Sequence, residues 1–232
     1  MRDIGHFIAG NAGNAKRKAP VWHPGTGEQQ AEVALGDAAV LEAAVAAALE
    51  VQPGWAATNP QRRARIMFRF RELVEANMDD LAHMLSSEHG KVIADAKGDI
   101  PRGLDVIEFA CGIPHAQKGE YTPAAGPGID VYSMRVPLGI GAGITPFNFP
   151  AMIPMWMFGM AIAAGNAFIL KPSERDPSVP VRLAELFLEA GAPEGLLQVV
   201  HGDKEIVDAI LDHPIGGRKT RLRLTDLDVS GL

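Results

Sequence analysis

Leu138-Gly-Ile-Gly-Ala-Gly-Ile-Thr-Pro-Phe-Asn-Phe-Pro150 leads through Ala151 to Leu170, twenty residues without a charge, into Lys171-Pro-Ser-Glu-Arg175. Leu138 to Ile144 is an apolar, glycine-spaced strand. The uncharged run meets the length test for a membrane helix. Pro154, Gly159 and the Gly165-Asn166 pair interrupt it, however, so a buried helix, a turn and a second strand at Ala167 to Leu170 explain it better. Further on, Pro177 to Ala190 has the pattern of an amphipathic helix ending at Gly191. Leu197 to Val200 reads as a strand and Lys204 to Leu211 as a helix. Strand and helix alternate, which predicts parallel βαβ units and an α/β fold.

Towards the N-terminus the pattern changes. Ile129 to Val136 is strand-like, behind a turn-rich break at Thr122-Pro123 and Gly126-Pro127-Gly128. Helices are expected from Ile93 towards His115 and over Met78 to His89, the latter stopped by Gly90. Asn59-Pro60 is a cap with proline at the first helical position. The helix it starts carries an apolar stripe of Ile66, Met67, Phe70, Leu73 and Val74. Arg62, Arg63, Arg65, Arg69 and Arg71 lie opposite; they suit an anion, but such a run ordinarily forms a solvated face. Asp37 caps a helix with Leu41, Val45, Ala48 and Leu49 on one face. Ile4 to Ala9 is read as a strand and Pro24 to Gly27 as a turn.

Composition narrows the function. The 232 residues have 47% apolar content and a formal charge of −6, so they can bury a core but offer no basic face to nucleic acid. One cysteine, Cys111, excludes an internal disulfide and any multi-cysteine metal site, and it fits a cytoplasmic protein. The seven histidines are scattered without a metal-ligand pair, so no metal is expected. No signal peptide is recognisable at the N-terminus. Gly216 to Leu232 carries net +2 against −8 for the preceding 215 residues and reads as a poorly ordered tail.

Gly139, Gly141 and Gly143 do not form the dinucleotide fingerprint, because the third glycine comes too soon and no helix opens there. They permit close approach of a ligand or simply tight sheet packing. Asn148, between two aromatics and two prolines, is a rigid polar group after a strand. It could donate to a developing oxyanion, or merely form a turn. Lys171 directly follows an apolar strand. It suits a ribose or phosphate at a strand's C-terminal edge, where open α/β sheets bind ligands, or it is a surface lysine.

Taken together, these residues resemble the aldehyde dehydrogenase superfamily. Pro146-Phe-Asn-Phe-Pro150 is similar to its Pro-aromatic-Asn-aromatic-Pro segment, and Lys171-Pro-Ser-Glu174 to its cofactor motif, 23 positions after Asn148. Pro101-Arg-Gly-Leu-Asp-Val-Ile-Glu-Phe-Ala110, Met155-Trp-Met-Phe158 and Lys171-Pro-Ser-Glu-Arg-Asp-Pro-Ser178 resemble the CoA-acylating methylmalonate-semialdehyde dehydrogenases. The likeness covers roughly residues 1–214.

The resemblance implies a Rossmann-like NAD-binding domain of the aldehyde dehydrogenase fold, truncated, with part of a bridging hairpin. Residues 1–119 and 137–215 would form the NAD-binding parts, 120–136 the bridging and oligomerising hairpin, and 216–232 an atypical tail. Thr145 and Phe147 would line the cofactor through backbone groups. Lys171 and Glu174 would bond the adenosine ribose, with Arg175 a further cofactor-side contact. A carboxylate at that ribose disfavours the extra phosphate of NADP. Asn148 would be half of an oxyanion hole. Arg102 would hold a substrate carboxylate, or be a surface arginine. The implied reaction is thiolate addition to methylmalonate or malonate semialdehyde, hydride transfer to NAD, and transfer of the thioester to coenzyme A. Propionyl-CoA or acetyl-CoA results. The small-molecule semialdehyde is then the partner, without nucleic acid or membrane, and the family forms homo-oligomers. Relatives are roughly twice as long, and their nucleophilic cysteine lies in the half not matched here. Cys111, in a packed helix pattern, reads as a small buried hydrophobe and cannot replace it. The chain alone is therefore expected to be inactive, as a truncated or frame-shifted product would be.

Overall fold

The computed structural model describes residues 2–13 and 15–213, together with the backbone of 221–225. Gly5 divides the first stretch. A Cβ at that position would lie 2.4 Å from the Gly13 carbonyl oxygen, so only glycine lets the two segments pass this closely. The run read as one strand is therefore two, β1 (Arg2–Ile4) and β2 (His6–Ile8), and they join different sheets. β3 (Asn11–Gly13) pairs antiparallel with β2. β4 (Arg17–His23) and β5 (Glu28–Leu35) form a hairpin around the anticipated turn, with β1 added parallel to β5.

Helix α1 (Ala38–Ala57) begins as expected, with the Asp37 side chain accepting from the Val40 N–H. Leu41, Val45 and Ala48 are buried, but Leu49 is exposed, because it falls just past the stripe that faces the sheet. Helix α2 (Pro60–Ala76) is capped by Asn59, which accepts from the Gln61 N–H. One of its arginines departs from the solvated face. Arg63 is buried, donating from Nε to the Ala163 carbonyl at 2.9 Å and from its terminal nitrogens to the Thr58 carbonyl and the Gln117 side chain. It satisfies carbonyls that helix ends leave open. α3 (Met78–His89) ends at Gly90 in the left-handed region, φ +87°. α4 (Ile93–Cys111) and the short α5 (Ile113–Ala116) follow, broken at Gly112.

β6 (Tyr121–Gly126) and β7 (Ile129–Tyr132) form a separate two-stranded hairpin. Thr122 and Pro123 therefore belong to a strand, and the turn is confined to Pro127 and Gly128. The expected strand over Ile129 to Val136 stops at Tyr132, where pairing with Tyr121 ends.

Next come β8 (Gly139–Ile144), α6 (Met152–Ala163), β9 (Ala167–Lys171), α7 (Ser178–Glu189), β10 (Leu197–Val199) and α8 (Lys204–Asp212). β8, β9 and β10 are parallel neighbours, and β2 adds antiparallel to β10. All five residues of β9 are buried, as expected for a strand covered on both faces. α1 packs on these strands and on α8. α6 and α7 pack on the same strands and against α2. Phe70, Phe158 and Phe187 bring α2, α6 and α7 together, with a 5.2 Å edge-on contact between Phe70 and Phe187. The alternate glycines of β8 serve packing: a Cβ at Gly143 would lie 2.6 Å from the Met157 sulfur and 2.8 Å from the Phe168 ring.

The tail reading needs correcting in part. β11 (Arg221–Thr225) pairs parallel with β8, completing the order β11-β8-β9-β10-β2-β3. Its alternation of Leu222 and Leu224 with arginines is a period-two pattern, and the edge of β8 offers it unpaired backbone groups. The rest of 216–232 lies outside the described residues. Among the described residues no helix is long and apolar enough to cross a membrane.

Candidate functional site at the carboxyl ends of the parallel strands

Two loops leave the carboxyl ends of β8 and β9 side by side. The Thr145 N–H donates to the Lys171 carbonyl at 3.0 Å, extending the ladder one step beyond the Ile144–Lys171 pair. Lys171 is buried, and its Nζ lies 3.0 Å from Oε2 of Glu174, which is partly exposed. The surface-lysine alternative therefore fails: burying an ammonium requires a partner, and Glu174 supplies it. Phe147 is exposed, with the Arg175 guanidinium 5.0 Å from its ring centre, so the second loop reaches back over the first. The His89 ring stacks on Phe147 with centroids 6.0 Å apart. Beneath them lies a cavity of about 420 Å³ whose wall includes His89, Phe147, Glu174, Arg175 and Asp176. A larger recess of about 570 Å³ lies between β1, β2 and α7 and includes none of Thr145, Phe147, Lys171 or Glu174 in its wall.

Asn148 follows Phe147. Its amide oxygen is buried without a hydrogen-bond partner, and its amide nitrogen bonds to none of the described residues. Such orphans are costly, about 1–3 kcal/mol each, and fold stability gives no reason to retain them. Among the described residues the others are Thr145 Oγ1, both Asp176 oxygens, His89 Nδ1, and ring nitrogens of His6 and His201. Thr145, Asp176 and His201 follow the carboxyl ends of β8, β9 and β10. His6 opens β2 at that same edge, since β2 runs antiparallel to β10. Unpaired polar atoms thus gather at the edge where open parallel sheets take ligands.

Burial sets the charge states here. The Asp176 carboxyl is pushed up to about 9 by burial and by the neighbouring Glu88, so it is neutral at pH 7. Burial, with His6 and Lys171 nearby, pushes His201 down to about 3. Glu88 is also raised by burial, against hydrogen bonds from Ser178 and Arg2. A neutral carboxyl at Asp176 and a neutral ring at His201 therefore flank the Lys171–Glu174 ion pair.

Arg102 does not join this cluster directly. It is exposed on α4, and its guanidinium makes no hydrogen bond or ion pair among the described residues. Its carbonyl accepts from the Trp156 indole N–H at 2.9 Å, and α4 packs on α6, which begins just after the Asn148 segment. Cys111 lies at the far end of α4, buried, its thiol pushed up to about 11 by burial and by Glu108. It stays protonated and unreactive at neutral pH.

Sequence reading missed His89, Lys91, Asp99, Asp176 and His201. Asp176 follows the recognised motif directly, so its placement was within reach. The others are remote in sequence, and only the packing of α3 and α4 brings three of them to the Asn148 segment.

Comparison with known proteins supplies the lineage. The aldehyde dehydrogenase family model matches residues 11–216. Malonate-semialdehyde dehydrogenase of Pseudomonas aeruginosa is 50% identical over 215 residues, covering 92% of this chain and 43% of that protein. The mitochondrial acylating methylmalonate-semialdehyde dehydrogenase of Arabidopsis thaliana is 51% identical over 192 residues, covering 83% and 32%. In structure, methylmalonate-semialdehyde dehydrogenase from Oceanimonas doudoroffii superposes with a TM-score of 0.91 at 46% identity, over 96% of this chain and 45% of that one. A Sinorhizobium meliloti protein, named provisionally as a methylmalonate-semialdehyde dehydrogenase and crystallised with NAD, gives 0.92 at 61% identity, over 97% and 45%. The chain thus spans less than half the length of these relatives. With nearly all of its described residues matched in both sequence and shape, it belongs to the aldehyde dehydrogenase family.

Proposed function

We propose that this chain is the cofactor-binding portion of an NAD-dependent, CoA-acylating methylmalonate- or malonate-semialdehyde dehydrogenase. The observation that carries this reading is the pairing, at adjacent strand ends, of an ion pair between buried Lys171 and partly exposed Glu174 with an Asn148 amide left without partners among the described residues. The residues suit a dinucleotide. Lys171 and Glu174 offer a donor and an acceptor to ribose hydroxyls, Thr145 and Phe147 line the cofactor, and Arg175 is held over the Phe147 ring. NAD, when bound, accepts the hydride. Asn148 donates to the oxygen that turns anionic as a thiolate adds to the aldehyde; losing one such donor typically costs about 10²–10³ in rate. Arg102, exposed on α4, holds the substrate carboxylate through charge-assisted bonds. Coenzyme A then takes the acyl group, in keeping with the acylating relative.

The 232 residues contain no reactive thiol, since Cys111 is buried and protonated. Alone they bind NAD but do not reduce it. A homo-oligomeric assembly, supported by the exposed apolar side chains of the β6–β7 hairpin, and a cytoplasmic location, supported by the single unpaired cysteine, belong to the same proposal. Calorimetric titration with NAD is the test. Saturable binding weakened at least about tenfold by Lys171→Ala is expected, the size of one lost charge-assisted bond. No binding, or NADH production with malonate semialdehyde and coenzyme A, overturns it.

A further inference from the structure

The turn after α3 meets the Asn148 segment residue by residue. His89 stacks on Phe147. Lys91 Nζ donates to the Asn148 carbonyl at 2.8 Å and lies 4.8 Å from the centre of the Phe149 ring. Gly90, between them, is left-handed, and a Cβ there would press on Pro24 at 3.0 Å, so the turn is fixed in shape. Nearly two turns into α4, the buried Asp99 carboxyl accepts from the Ala151 N–H at 3.3 Å and the Met152 N–H at 3.2 Å. These N–H groups open α6, where no intrahelical acceptor exists and a carboxylate is favoured by the helix dipole. Burial raises the Asp99 carboxyl above its ordinary range, and the two N–H groups and the Lys91 charge oppose that rise.

We propose that Lys91 and Asp99 are positioning residues for Asn148, clamping the backbone before and after Pro150 so that the side-chain amide is held aimed and unpaired. The inference rests on the reading of Asn148 as an oxyanion donor. The physical logic is preorganisation: a donor stabilises developing charge best when it need not reorient. Lys91 fixes the peptide plane that follows Asn148. Asp99 fixes the two planes that begin α6. Only the side-chain torsions of Asn148 stay unset, and its buried, unpartnered oxygen shows that the surrounding packing, not a hydrogen bond, holds them.

The test is the side-chain NH₂ signal of Asn148 in ¹⁵N-labelled chain, assigned by its loss in Asn148→Asp. Asn166 is the internal control, its amide donating to the Ala161 carbonyl and accepting from Leu138 and Gly139. Lys91→Met is expected to broaden or split the Asn148 pair while leaving Asn166 unmoved, and Lys91→Arg is expected to restore one sharp pair. Asp99→Asn keeps an acceptor but loses the charge, and is expected to speed hydrogen exchange at the Ala151 and Met152 amides by about tenfold. An Asn148 signal indifferent to Lys91→Met overturns the clamp, as does failure of arginine to restore it. Titrating the same samples with NAD separates the two readings. An Asn148 signal that obeys the Lys91 series while the Thr145 and Phe147 amides ignore NAD upholds the clamp and removes the proposed cofactor site.

Discussion

The carboxyl edge of the sheet and the β6–β7 hairpin are built from the same chain by opposite rules. At the sheet edge the framework is held from within the fold, Lys171 by Glu174, the Asn148 carbonyl by Lys91, the first N–H groups of α6 by Asp99, while the Asn148 amide and a few neighbouring side chains are left unpaired. In the hairpin, Tyr121, Ile129, Val131 and Tyr132 are all exposed, and so are Met134 and Val136 just beyond it. Its specific contacts are local, as in the Tyr121 hydroxyl donating to Asp130 at 2.7 Å. An apolar strand pair that finds no cover among the described residues leaves open edges and an unused hydrophobic face. The chain thus holds one region whose polar framework is set by its own contacts and one whose apolar side chains stand in water.

Four substitutions break or sharpen that contrast. The largest effect is expected from Arg63→Ala, which strips hydrogen bonds from the Ala163 and Thr58 carbonyls in the body of the fold. Urea unfolding should show a loss of about 3–4 kcal/mol. Gly103→Val comes next. A Cβ there would lie 2.2 Å from the Met155 methyl and 3.2 Å from the Met152 Cα, where backbone cannot yield. A loss of about 2–3 kcal/mol in the same measurement is expected.

Asp176→Asn should instead stabilise, in a pH-dependent way. The folded carboxyl titrates at about 9 against 3.8 ordinarily, so between those values the folded chain keeps a proton that the unfolded chain has lost. Stability contributed by the neutral form is whole below the ordinary value and is lost as pH rises. The variant should unfold about 1–2 kcal/mol later than the parent at pH 8, with the gap closing towards pH 4. An equal gap at both pH values would refute the assigned charge state. The smallest effect belongs to the hairpin. Val131→Ser should change unfolding free energy by less than about 0.5 kcal/mol, because its side chain is already in water. Light scattering should nonetheless show less self-association. A large loss of stability would mean the two regions are not built differently after all.

Legibility in the sequence followed the same division. Periodicity and caps located most elements, from the Asp37 and Asn59 caps to the strand–helix alternation after Leu138. Asn148 and Lys171 stood out because a rigid amide and a charged residue came at the ends of apolar strands, whereas Glu174 entered only through the family resemblance. Gly5 and Arg63 did not, because a glycine that lets strands cross and an arginine that caps distant carbonyls carry no local signature. Alternation in Arg221 to Thr225 was overlooked, since five residues with three charges or hydroxyls look like solvent-facing chain until a strand edge stands beside them.

What the sequence determined by itself was the lineage and the chemistry available: an amide, an ammonium and a carboxylate at fixed intervals, and a single cysteine. Those are properties of residue type and spacing, which survive without coordinates. Only the tertiary structure decided which of them are buried, which carry charge, and which distant residues grip the Asn148 segment. Burial and proximity arise when α3 and α4 pack against α6, and no stretch of sequence contains that contact.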